Sequence, residues 1–190
     1  MRDDEQRRAD VTLDRADVWL LGELVEASAA DFLEQLKKAP TDCATTIVEV
    51  TTPGGDAELA RRLVLEIEIR RKHFRRLVFV GKTQIYSAGV TIMSAFPKQD
   101  RYLSRDASLL IHCRQLDKTV EISGAMRSSL PKVQALLEQL ETSIELEKTN
   151  FLKLIEGSDI SLDELLEKAV NNWYLTAEEA LRRGLVVDLL

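Results

Sequence analysis

The sequence predicts an α/β protein made of successive strand–helix–strand units around a largely parallel sheet. Three observations carry that expectation. Short β-branched or apolar runs recur along the chain, each is followed by a stretch of helical character, and the joints between them are short and rich in Gly, Pro or small residues.

Taken in order, residues 17–24 (DVWLLGEL) read as a strand, followed by a helix from about Ser28 that Pro40 closes. Residues 44–50 (ATTIVEV) form the next strand, then TTPGGD leads into a helix running to about His73. A third strand, RRLVFVG at 75–81, turns through QIYSAGVTIMSAF into another helix. Two more strand candidates lie at 100–106 and 108–114. The long helix follows, with Ser129 as N-cap and Pro131 in its first turn. Its apolar residues Leu130, Val133, Leu137, Leu140, Ile144, Phe151 and Leu154 make a heptad-like stripe interrupted only near Glu147. Such a stripe either faces the core of its own chain or docks a projecting helix on a second subunit. At the C-terminus Thr176 and Glu179 form a capping box, Gly184 closes that helix, and 185–189 is a last strand.

The 190 residues are expected to form one domain over 11–190, preceded by a charged, loosely ordered segment 1–10. Apolar residues at 45% and charged residues at 31% suit a globular chain with a real core. A net charge of −6 argues against nucleic acid as a partner. The basic clusters Arg70-Arg71-Lys72 and Arg75-Arg76 read as a solvated helix end and a strand lead-in. Only Cys43 and Cys113 are present, without metal-ligand spacing, so neither a metal nor a cofactor is expected and a reduced interior suits the chain. Nothing resembles a signal peptide, and no apolar run approaches the ~18 residues of a membrane span. The expectation is a cytoplasmic protein without a membrane partner.

Three joints hold residues with chemical capacity. TTPGGD stands at a strand's carboxyl end, where adjacent glycines make either a tight turn or a nest of amides for an anion. Ser87 in YSAG stands at the next such end, where small residues either let a helix pack closely or present a hydroxyl. His112 ends an apolar strand and is either a core histidine or a base, whereas His73 sits in a cationic run and reads as a surface residue. In open α/β sheets, sites gather at the carboxyl ends of strands. A serine hydroxyl needs a base to become nucleophilic, and His112 is the candidate.

TTPGGD (51–56), YSAGVTIM (86–93), ASLLIHCR (107–114) and WYLTAEEALRRGLVVDLL (173–190) resemble, in order, segments of the Clp protease proteolytic subunit (ClpP) family. The resemblance spans roughly residues 17–190, and the 25-residue separation of Ser87 and His112 agrees with it. It implies a ClpP/crotonase-type spiral of βαβ units, with 129–156 as a handle-like helix through which rings pair. It implies a serine endopeptidase acting on peptides or unfolded protein segments through an acyl-enzyme. Ser87 would be the nucleophile, His112 the base, and the amides of Gly55 and Ala88 the oxyanion hole.

The sequence departs from the family's pattern in two places. Where the family has the triad Asp, an ungapped alignment places Lys168, and Asn171 or Asn172 would have to orient His112. The segment before the first strand lacks the family's apolar residues, which weakens the case for an AAA+ unfoldase partner and favours unassisted cleavage. Two alternatives follow: a weak or inactive ClpP-like assembly partner, and a crotonase-type acyl-CoA enzyme that uses the glycine amides without a nucleophile.

Overall fold

A computed structural model describes residues 11–116 and 118–190. The segment 1–10, expected to be loosely ordered, lies outside them. Seven strands form the sheet: β1 (Val18–Leu21), β2 (Thr46–Thr52), β3 (Leu77–Tyr86), β4 (Arg101–Leu103), β5 (Ser108–Ile111), β6 (Trp173–Thr176) and β7 (Asp188–Leu189). The path β1-β2-β3-β4-β7 is parallel throughout. Parallel strands are covered on both faces, which is why the first half of β3 reads as a near-continuous apolar run and β2, despite its threonines and Glu49, is buried along most of its length.

β3 is longer than the sequence suggested, because it changes partners midway. Phe79–Gly81 pair with β4, whereas Gln84–Tyr86 pair with β5. Between the two halves Thr83 takes a positive φ of 55°, and the β2–β3 register shifts between Val50 and Thr52. The second half of β3 thus carries a branch of the same sheet, β5 and then the antiparallel β6, while Ile85 still pairs with Thr52 of β2. That branching places the end of β3 beside the end of β5. β6 is absent from the sequence-based expectation, since its four residues read as the approach to a helix cap. It forms because Trp173 and Leu175 face inward and Tyr174 and Thr176 outward along its ladder with β5.

The helices are α1 (Glu26–Lys38), α2 (Ala57–Arg71), α3 (Ala88–Met93), α4 (Met126–Ile155), α5 (Leu162–Ala169) and α6 (Ala177–Arg182). α1 starts before Ser28, whose hydroxyl reaches back to accept the Val25 N–H at 3.0 Å. The box on α6 stands as expected, with Thr176 Oγ1 accepting from Glu179 N at 3.1 Å. α4 does not begin at Ser129. It begins at Met126, the Ser128 hydroxyl donates to the Ala125 carbonyl at 2.7 Å, and Pro131 sits inside the helix.

Only the last turns of α4 are built into the core, through Phe151, Leu154 and Ile155. Arg101, 1% exposed, grips that end of α4: Nη1 donates to Leu154 O at 2.6 Å, Nη2 to Lys153 O at 3.1 Å and Nε to Phe96 O at 2.7 Å. A cation at a helix C-terminus meets the negative end of the macrodipole. Burial still draws the guanidinium down to about 10. The basic clusters are likewise not simply solvated. Arg71 lies 5.9 Å over the Phe96 ring and Arg76 Nε bonds Asp100 at 2.7 Å.

Candidate active site

The turn after β2 is shaped by its two glycines. Gly54 N–H donates to Thr52 Oγ1 at 3.0 Å, and the Gly54 carbonyl accepts from Leu24 N at 2.8 Å. A Cβ on Gly55 would stand 2.3 Å from Leu24 O, and one on Gly54 would stand 2.9 Å from Ser87 Cβ. No side chain fits at either position, so the backbone approaches Ser87 directly. Asp56 then caps α2, accepting from Glu58 N at 2.7 Å and Leu59 N at 2.9 Å. The Gly55 N–H has no hydrogen-bond partner among the described residues.

Ser87 joins β3 to α3. Its N–H continues the ladder to Leu110 O at 2.9 Å, and its carbonyl accepts from Val90 N at 3.0 Å. Between those bonds the residue is held at φ 52° and ψ −108°, a conformation that L-residues rarely adopt. The small residues that follow are needed for packing as well: a Cβ on Gly89 would stand 2.6 Å from Thr52 Cγ2. Packing and presentation of the hydroxyl are therefore one arrangement, not alternatives. Ala88 opens the helix, and its N–H is one of the orphan donors of a helix start.

His112 follows β5 directly and is half-buried. Its Nδ1 lies 2.7 Å from the Cys113 carbonyl. A carbonyl only accepts, so this bond puts the hydrogen on Nδ1 and leaves the Nε2 lone pair free. No hydrogen bond joins Ser87 Oγ to His112 among the described residues, but both line one cavity of about 840 Å³ with Gly55 and Ala88. Ile111 and Leu116, with Leu140, Ile144 and Phe151 from α4, supply its apolar wall.

No family model matches the chain, and no curated protein matches it. Among solved structures it is similar to a mutant of ClpP1 from Listeria monocytogenes, with 19% identity, a TM-score of 0.68, and 91% of this chain and 90% of that chain covered. The chain has a ClpP-like fold.

Within that fold the segment after α5 does not carry the role expected of it. The Ala169 carbonyl accepts from Cys113 N at 3.3 Å, and the Asn171 and Asn172 amides turn back on the Lys168 and Ala169 carbonyls. With Asn172 at φ 60°, both asparagines are exposed and neither lines the cavity. The expectation that Asn171 or Asn172 orients His112 is therefore corrected: the partner of Nδ1 is the neighbouring backbone carbonyl. Lys168 is engaged elsewhere, 2.7 Å from Glu164 Oε1 and 4.4 Å from the Trp173 ring centroid.

Sequence reasoning missed Glu147. It is 8% exposed, lies in the cavity wall, and its Oε2 accepts the Arg114 backbone N–H. The available signal was the break it makes in the α4 stripe. Burial first, and the nearby Glu147 carboxylate second, push the Cys113 thiol up, which keeps it protonated and poor as a nucleophile. Arg114 turns its guanidinium away to Glu58, whose carboxyl that bond holds below the usual range. Among the described residues no His, Cys, Asp or Glu cluster is arranged for a metal, and no helix is long and apolar enough to cross a membrane.

Proposed function

We propose that the chain is a ClpP-like serine peptidase acting on peptides or unfolded protein segments. The observation that carries the reading is Ser87, held at positive φ on a strand–helix junction and opening into the same cavity as His112. In this mechanism Nε2 of His112 takes the Ser87 proton as Oγ adds to the scissile carbonyl. The carbonyl oxygen, now negative, receives the N–H groups of Gly55 and Ala88, neither of which has an internal partner among the described residues. The imidazolium then gives its proton to the leaving amine, an acyl-enzyme remains on Ser87, and water drawn by the same base releases it.

The apolar wall formed with α4 suits a hydrophobic side chain of the substrate. The reading includes self-association. Met126, Leu130, Val133 and Leu137 are exposed on one projecting helix ahead of the stretch that lines the cavity, Met126 at 91%, and a second copy with the same stripe would cover them. A cytoplasmic setting goes with it, and an AAA+ unfoldase is not required for peptides.

One observation favours a second reading, a catalytically weak assembly partner: among the described residues no carboxylate touches His112, in keeping with the ungapped alignment that puts Lys168 where the family has its Asp. Labelling with a fluorophosphonate separates the two. The peptidase reading expects Ser87 to be modified in the native protein and not in Ser87→Ala. A native protein that stays unlabelled and leaves fluorogenic peptides intact overturns it.

A further inference from the structure

We propose that Glu147 is a positioning residue that acts on His112 through the peptide group between Cys113 and Arg114, in place of a carboxylate touching the imidazole. The inference rests on the peptidase reading above. The carbonyl of that peptide accepts from His112 Nδ1, 2.7 Å away, and the N–H of the same peptide donates to Glu147 Oε2. The two groups lie at opposite ends of one planar, resonance-coupled amide. A carboxylate at the N–H end is a charge-assisted acceptor, and hydrogen bonds in series polarise one another, so the carbonyl at the far end becomes a stronger acceptor.

When Nε2 takes the Ser87 proton, the new positive charge is shared with Nδ1–H. That hydrogen faces the polarised carbonyl, with the carboxylate behind it. The charge of Glu147 thus favours the protonated state that the transition state needs, at one peptide's remove.

Besides the Arg114 N–H, Glu147 meets the Cys113 thiol, whose proton it helps to hold, but among the described residues no cation offsets its charge. It is buried, and none of the ion pairs among the described residues includes it. A buried carboxylate without a cation is costly and calls for a reason. The other ionisable groups around the cavity are committed. Asp56 caps α2, Glu58 is paired with Arg61 and Arg114, and Cys113 is held as a thiol. None of them touches the imidazole among the described residues.

The test uses Glu147→Gln, which keeps the length and an acceptor oxygen but removes the charge. Glu147→Met is the second variant, because an apolar chain of similar length in a buried position is compatible with folding. Two readouts are taken: the pH profile of kcat/KM on a fluorogenic peptide, and the ring-carbon NMR titration of His112, assigned with His73→Gln. Both variants are expected to lower kcat/KM about tenfold and to move the acidic limb and the ring titration to lower pH by about half a unit or more. A purely structural Glu147 would leave the ring titration where it is. An unmoved titration in both folded variants overturns the proposal. If the wild-type protein neither cleaves peptides nor takes the fluorophosphonate, the peptidase reading fails, and the titration, which needs no turnover, still decides the role of Glu147.

Discussion

At φ 52° and ψ −108°, Ser87 occupies backbone space that costs an L-residue about 1–3 kcal/mol, and the ladder bond on one side and α3 on the other keep it there. Glycine bears little of that cost, whereas alanine keeps it. Ser87→Gly is therefore expected to be more stable than Ser87→Ala by about 1 kcal/mol in urea unfolding, with both unlabelled by the fluorophosphonate. Equal stabilities would mean that the junction is not strained. At this scale Ser87 and His112 were legible because reactive residue types stand at the carboxyl ends of apolar strands. Glu147 was not, since a one-dimensional pattern does not say that a charged residue on an amphipathic helix is buried. Asn171 and Asn172 were misread for the converse reason. Their spacing fits a reach toward His112, but the chain reverses at Asn172 and leaves both side chains in solvent.

Among the elements, α4 is the one whose pattern exceeds what its own chain uses. Its last turns are packed on the core and pinned by Arg101, and Leu140 and Ile144 line the cavity, while the apolar stripe from Met126 to Leu137 stays exposed. Exposed apolar residues at heptad spacing gain most by meeting a like surface. The double variant Leu130→Asp, Leu137→Asp is expected to sediment as a smaller species than wild type with an unchanged helical circular dichroism spectrum, because neither residue is buried in the single chain. A double variant that sediments like wild type would remove the stripe from the assembly. The heptad spacing made this helix legible, though not its start. Ser129 and Pro131 carry the letters of a helix entry, yet the serine hydroxyls of the first turn support one that begins earlier, at Met126. β6 escaped notice because a four-residue strand is specified by its partner β5 more than by its own residues.

For the whole molecule, the C-terminal third closes the structure: β6 lies beside β5 on the branch of the sheet and β7 beside β4 on its main path. A charge network fastens the segment between them. Arg183 donates to Glu164 through Nη1 at 2.9 Å and Nη2 at 2.7 Å and to Asp159 through Nε at 2.7 Å, and Lys168 donates to Glu164 at 2.7 Å. The Arg183 bonds first, and Lys168 second, hold the Glu164 carboxyl at about 2 against an ordinary 4.5. Because the folded state depresses this value, the network's contribution is complete above about pH 4.5 and is lost as the pH falls toward 2. The groups are partly exposed, so salt screens the effect. Stability measured by urea unfolding is expected to fall across that window, and Glu164→Gln to flatten that part of the fall while lowering stability at neutral pH. Salt at about 1 M should narrow the difference between the two proteins, since the Debye length there is only about 3 Å. Parallel pH curves for wild type and Glu164→Gln would show that the network does not couple the C-terminal segment to acid unfolding.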